Sequence, residues 1–178
     1  MGLQPRKGEL EQGIMITLRV NDSKVVALLG ELASRAKTPR PVMSEIGDIV
    51  ISSIEKNIQV GGRYSTPDSW KGGSRKWKGL SSATIKQRTK KGYWPGKILQ
   101  QTGQLAGSLS KRVTNNSVIV GTNKVYGAVH QFGIGRRSSL RSRRVMPAIP
   151  ARPWIVVQDE DLTEMGHAIT AYLMKGVK

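Results

Sequence analysis

The stretch Val42-Met-Ser-Glu-Ile46-Gly-Asp-Ile49-Val50-Ile-Ser-Ser-Ile54-Glu-Lys-Asn-Ile58-Gln-Val60-Gly61-Gly62 decides the architecture. Val42, Ile46, Ile49, Val50, Ile54 and Ile58 recur at helical spacing, so a helix starting around Val42 carries them on one stripe and Gly61-Gly62 ends it. Just upstream, Val25, Leu28, Leu29, Leu32 and Ala36 repeat that spacing behind the capping oxygens of Asn21-Asp22-Ser23. This earlier helix must stop before Thr38-Pro39-Arg40-Pro41, because two prolines so close cannot continue it. Further upstream, Ile14, Ile16, Leu18 and Val20 alternate with Met15, Thr17 and Arg19, the period of a half-buried strand. Two helices with one apolar face each predict a packing layer laid against a sheet.

Downstream, Gly61 to Gly79 is rich in Gly, Ser, Lys and Arg, with Trp70 and Trp77 set into it. It is longer than an ordinary connection and is therefore either mobile or functional. A short basic helix follows, capped by Ser81 or Ser82 and running through Ile85 to Lys91, until Gly92-Tyr93-Trp94-Pro95-Gly96 breaks it. Gln101 to Leu105 can start a short helical turn. Leu109–Val113 and Ser117–Gly121 flank Thr114-Asn115-Asn116, and because Asn tolerates the positive φ of tight turns this reads as a β-hairpin. Asn123 through Gln131 forms another short helix presenting Tyr126, Val129 and His130. Gly133-Ile-Gly135 opens the excursion Arg136-Arg137-Ser-Ser-Leu-Arg141-Ser-Arg143-Arg144, and Pro147 holds the returning chain at a sheet edge at best. The last element is a helix near Asp159–Lys175, with Asp159, Glu160 and Asp161 at its positive end and a buried stripe of Leu162, Met165, Ile169 and Leu173. The organisation expected is a flexible leader over 1–13 and a single α+β domain over 14–178, with basic excursions at about 61–80 and 134–148.

The chain has 178 residues, with 29 Lys+Arg against 12 Asp+Glu and a formal charge of +17. The charge is uneven. Residues 1–60 carry 8 basic and 7 acidic side chains, residues 61–158 carry 19 basic and one acid, Asp68, and residues 159–178 carry 2 basic and 4 acidic. A basic run is commonly only a solvated face, but this density repels itself unless a polyanion or an acidic protein surface compensates it. Arg63, Lys71, Arg75, Lys76 and Lys78 in the first excursion, and Arg136, Arg137, Arg141, Arg143 and Arg144 in the second, are the candidate partner- or DNA-contacting residues.

Catalytic chemistry finds little to stand on. With no cysteine, thiolate metal sites, disulfides and cysteine nucleophiles are excluded. No apolar run approaches the roughly 20 residues of a membrane span, and the first residues lack the apolar stretch of a secretory signal, so no membrane partner and an intracellular origin are expected. His130 and His167 are the only histidines, and His130 has no acid nearer in sequence than Asp68 and Asp159. A general base needs an orienting partner and a divalent metal needs several ligands, so a structural His130, no metal and no cofactor are expected. Gly61-Gly62 and Gly133-Ile-Gly135 lack the order of a phosphate loop. Trp70, Trp77, Tyr93 and Trp94 could stack on nucleobases or anchor a subunit interface, and residue type does not choose between these. No helix-turn-helix, zinc-finger or RNP signature accompanies them.

Several strings recur in a recognisable order: Trp77-Lys-Gly-Leu80 with Ser82-Ala-Thr-Ile-Lys86, Ile98-Leu99-Gln-Gln-Thr-Gly103-Gln-Leu105-Ala-Gly-Ser-Leu109, Val118-Ile-Val-Gly121-Thr122, Tyr126-Gly-Ala-Val-His130-Gln131-Phe132-Gly133 and Ile149-Pro-Ala-Arg152-Pro153-Trp154. Over about residues 14–175 the chain resembles the phage virion morphogenesis family, the tail completion proteins of Mu-like tailed phages and prophages. The resemblance implies a small antiparallel sheet packed by two or three helices with long basic loops. It also implies a structural virion protein, not an enzyme and without cofactors, that completes tails and joins them to heads. The location implied is the virion tail or neck, with assembly in the host cytoplasm. A homo-oligomeric ring, neighbouring tail or head–tail connector proteins and genomic DNA in the channel are the partners it suggests. On this reading the shared strings are architectural. Gly103 and Gly133 serve turns, Tyr126, Phe132 and Trp154 pack, Arg152 pairs with an acid or a carbonyl, and Leu105, His130, Gln131 and Pro153 are structural members of the same strings. The leader is an addition to the pattern, and Met15-Ile-Thr-Leu itself resembles a natural start. The alternative from composition alone is a basic nucleic-acid-binding accessory protein; a metal-dependent nuclease is the weakest reading, for want of a carboxylate cluster.

Overall fold

The computed structural model describes residues 23–63, 76–138 and 145–176. The expected strand over 14–20, the leader, Trp70, Lys71, Arg75, Arg141, Arg143 and Arg144 lie outside the described residues. The chain order is α1 (Ser23–Lys37), α2 (Arg40–Val60), α3 (Ser82–Lys90), a 3₁₀ turn (Ala106–Ser108), β1 (Leu109–Val113), β2 (Val118–Thr122), α4 (Val125–Phe132), β3 (Arg137–Ser138), β4 (Val145–Met146) and α5 (Asp159–Met174). The fold is α+β, with two antiparallel ladders, β1–β2 and β3–β4.

The decisive stretch is the central helix. Pro39 and Pro41 separate α1 from α2 as expected and also start α2, because a proline in a first turn gives up only an N–H that no helix would use. Gly61 closes it in the left-handed conformation at φ 77°. α2 packs on α5 along one side and on the β1–β2 hairpin along the other. Its N-terminal half puts Val42 and Ile49 against Ala168 of α5, and its C-terminal half puts Ile54 and Ile58 into a second cluster with Trp77, Leu105 and Trp154. The hairpin crosses at Gly47, where an added Cβ would lie 2.9 Å from both Lys111 Cδ and Val118 Cγ2. Lys111 then reaches along α2 to donate to the Ser44 carbonyl at 2.9 Å and to Asp48 Oδ2 at 2.5 Å.

Several expectations are corrected. Among the described residues α1 has no buried residue and does not pack on the β1–β2 hairpin; its C-terminal end is tied to α5 by Arg35 to the Leu173 carbonyl (2.6 Å), and just beyond it Tyr172 donates to the Thr38 carbonyl (2.6 Å). The inward edge of α5 is Asp161, Met165, Ala168 and Tyr172, leaving Leu162 58% exposed. A buried acid displaced the apolar reading by one position. The hairpin turn uses no left-handed Asn; Thr114 N donates to the Ser117 carbonyl at 2.8 Å, and Leu99 is the only non-glycine with positive φ among the described residues. The second excursion is not simply a loop, since its stem is a ladder pairing Arg137 with Met146 and Ser138 with Val145, backed by an Ile134–Ile149 bridge. Helix α3 follows its expectation, with Ser81 Oγ accepting from Thr84 N at 3.3 Å. The helical turn expected at 101–105 falls at 106–108.

Candidate functional site

Both excursions return to the body beside one another, and the strings that carried the resemblance hold them there. Trp77 N donates to the Gly61 carbonyl at 3.0 Å, closing the base of the first excursion, and its indole Nε1 donates to the Pro153 carbonyl at 2.7 Å. Trp77 is therefore core, and neither a stacking platform nor an interface anchor. Gln131 clamps the 154–155 backbone: its Oε1 accepts from Trp154 N and Ile155 N at 3.0 Å each, and its Nε2 donates to the Ile155 carbonyl at 3.0 Å. Trp154 Nε1 donates to the Gly127 carbonyl at 3.0 Å. Gly133, at φ 73°, sits where an added Cβ would be 2.7 Å from Ala151 N and 2.8 Å from the Ile149 carbonyl oxygen, so only glycine lets the second excursion leave against its own return strand. Gly103 also has positive φ, at 71°. Phe132, expected to pack, is 72% exposed, because the eight-residue helix α4 turns Gly127 and Val129–His130 inward and leaves its last residue outside. Tyr126 is partly exposed and meets the His130 ring edge-on at 6.2 Å.

The basic candidates divide. Arg63 is not presented outward. It pairs with Glu160, lies 4.0 Å from Asp161 Oδ1, and donates to Ser53 Oγ at 2.9 Å, tying the end of α2 to the start of α5. Asp161 in turn accepts from Ser53 Oγ at 2.5 Å and Gln158 N at 2.7 Å. The Lys76 ammonium donates to the Val60 carbonyl at the end of α2. Lys78 and Arg136 are exposed. Arg137 belongs to the β3 ladder.

Between the two returns lies a cleft of about 710 Å³, walled by Lys78–Ser81 on one side and Pro147–Pro150 on the other. Arg88, His130 and Arg152 converge on it, and no acidic residue is among its described lining residues. Arg152 donates through Nε to the Lys78 carbonyl and through Nη2 to the Gly79 carbonyl, both at 3.0 Å, so its expected partner is a pair of carbonyls. Arg88 donates through Nη1 to the Lys97 carbonyl at 2.9 Å, while its buried Nε has no hydrogen-bond partner, nor has the buried Nδ1 of His130. Desolvation by burial, then the Arg152 and Arg88 charges, hold His130 below its ordinary 6.5. Desolvation, then Arg88, likewise lower Arg152. Leu99, at φ 60°, lines the same cleft in a conformation that costs a leucine roughly 1–2 kcal/mol. Sequence reading singled out His130 and Arg152 but missed Arg88. The signal was there: α3 has Ile85 as its single large apolar residue, so something at helical spacing had to share its inward face, and Arg88 does.

These features define a class, an α+β scaffold with one recessed cleft, lined by cations, where two excursions rich in basic residues return to the body. Among the described residues no group of His, Cys, Asp or Glu could hold a metal, and no helix is long and apolar enough to cross a membrane. The chain belongs to the phage virion morphogenesis family, whose sequence profile matches residues 20–174. It is 32% identical to Mu-like prophage FluMu G protein 2 of Haemophilus influenzae over 92% of this chain and 100% of that protein. It is 27% identical to the candidate capsid assembly protein G of Escherichia phage Mu, over 86% of this chain and 91% of that one. No solved structure matches it significantly. The chain is thus a phage virion assembly protein.

Proposed function

We propose that the protein completes the tail and joins it to the head, as a non-enzymatic structural component that oligomerises as a ring at the tail end or neck after assembly in the host cytoplasm. The observation that carries this reading is the family match across residues 20–174, on a chain whose charge is concentrated in its middle. Eleven of the twelve acids lie outside 61–158, so the scaffold is near neutral and the excursions are its docking equipment for a tail or connector protein, with genomic DNA as a further contact.

The test is electron microscopy of lysates from a phage lacking the protein. Filled heads beside unjoined tails support the reading. Aberrant or missing heads overturn it in favour of the capsid role that the phage Mu relative's name carries. Sedimentation equilibrium of the purified chain with and without tails checks the ring. DNA contact through the excursions requires log K to fall with log salt by about 0.9 per phosphate contacted on duplex DNA. A flat salt dependence removes DNA from the partners.

A further inference from the structure

We propose that the cleft formed by Arg88, His130 and Arg152 is a carboxylate-binding site that takes an Asp or Glu side chain from an extended, apolar-flanked segment of a partner protein. The site goes beyond the tail-or-neck reading and does not depend on it.

Arg88 is only 7% exposed and Arg152 only 6%, and both line the same cleft as His130. Buried cations are normally paired, because desolvating them is costly unless an opposite charge compensates. Here the described residues supply carbonyls to some of the N–H groups and leave Arg88 Nε and His130 Nδ1 without hydrogen-bond partners. An incoming carboxylate has two oxygens able to accept from a guanidinium edge in a planar fork.

The walls say what carries the carboxylate. Leu80, Ile98, Leu99, Leu105 and Ile149 line the cleft beside the cations, so the ligand is apolar on either side of its charge. A duplex phosphate is a poor fit, since it sits on a convex backbone that cannot be lowered into a recess where Arg88 as a whole is 7% exposed. A side chain on an extended peptide reaches it. The left-handed backbone of Leu99 adds a strained residue at the same wall, where strain is commonly found at binding sites.

The experiment uses the full chain and two capped pentapeptides, acetyl-Gly-Leu-Glu-Leu-Gly-amide and its Gln counterpart, with inorganic phosphate and a short DNA duplex as further probes. NMR follows the His130 ring, with His167 on the exposed side of α5 as the control resonance. The Glu peptide is expected to raise the pH at which His130 titrates and to bind about tenfold more tightly than the Gln peptide, with the preference lost in Arg88→Met. Arg88→Lys, which keeps the charge but not the fork, should restore part of it. Unchanged thermal unfolding of Arg88→Met would show that the loss is one of binding. If that variant fails to fold, the Lys variant and the Glu–Gln contrast in the wild type decide. Equal binding of both peptides, no movement of His130 with any probe, or a larger shift with phosphate or duplex than with the Glu peptide overturns the proposal. Asp68 is the single acid of the basic middle, so Asp68→Asn is measured too. If it lowers the His130 titration and tightens the Glu peptide, the site is filled by the chain's own carboxylate and the proposal fails; an unchanged result supports an external ligand.

Discussion

Two arginines, Arg63 and Arg88, differ in how their burial is compensated. Both have a buried Nε without a partner. Arg63 keeps 21% of its side chain exposed, yet meets Glu160, Asp161 and Ser53. Arg88 is more deeply buried, has Arg152 and His130 as charged or titratable neighbours, and finds one carbonyl. In the first region burial is matched by opposite charge, so the arginine belongs to the architecture and locks α2 to α5. In the second the same chemical group is left short of acceptors, which is the condition of a site and not of a strut.

Breaking the compensated region should have the largest effect. Asp161→Ala removes the acceptor of Ser53 Oγ and Gln158 N and leaves the exposed Glu160 as the acidic partner of Arg63. It should lower unfolding stability by about 3 kcal/mol, the range for removing one partner of a buried pair, read as a fall in the urea midpoint at unchanged slope. A smaller loss would mean that Glu160 and the hydroxyl and carbonyl of Ser53, to which Arg63 Nη2 donates at 2.9 and 3.3 Å, suffice to hold Arg63. Gly133→Ala comes next. It leaves every charge in place but puts a methyl against the backbone of Ile149 and Ala151, so the wall of the cleft must shift. A cost of about 2 kcal/mol is expected from overpacking and the disfavoured φ together, with loss of the Glu-peptide preference as its second readout.

The two regions were not equally legible in the sequence. α2, its proline start and its Gly61 stop followed from spacing and cap chemistry alone, because an apolar stripe at helical period has one physical reading. α5 was found but rotated by one position: Leu162 looks like core and Asp161 like a helix-end charge, and only the tertiary pairing with Ser53 and Arg63 puts Asp161 inside. Arg63 was mistaken for a surface cation for the same reason, its carboxylates lying far away in the chain. The cleft was half visible. His130 and Arg152 stood in strings that resembled a family, whereas Arg88 sat in an ordinary basic helix whose inward face shows itself only once Ile85 is seen to need a neighbour. Trp77 was ambiguous by residue type and is settled by its indole bond to Pro153.

Removing the uncompensated arginine should cost little, and this is the sharpest contrast with Asp161. Arg88→Met keeps an unbranched apolar stem while deleting a desolvated charge that faces another cation. It gives up the bond to the Lys97 carbonyl. Stability should therefore be unchanged or rise by up to about 1 kcal/mol, as replacing buried charge by a hydrophobic residue often allows. A loss as large as that of Asp161→Ala would show that Arg88 is a strut after all, and the distinction between the two regions would collapse.

The smallest effect is in pH dependence, and its sign follows from His130. Burial and the Arg152 and Arg88 charges lower its folded-state value below 6.5. The unfolded chain therefore takes up a proton at a higher pH than the folded chain does. The contribution of neutral His130 is fully present above 6.5 and is lost as pH falls from there toward the folded value. Urea midpoints compared at pH 7.5 and 5.5 should drop more in the wild type than in His130→Asn, the difference isolating this group from the carboxylates. In Arg88→Met the drop should lie between the two, because desolvation and Arg152 still disfavour the imidazolium when Arg88 is gone. Saturating Glu peptide should shrink the wild-type drop as well, since a carboxylate in the cleft stabilises the protonated ring. If the three proteins respond alike to pH, His130 does not feel the two arginines, and the cleft loses the electrostatic frustration that sets it apart from the Arg63 region.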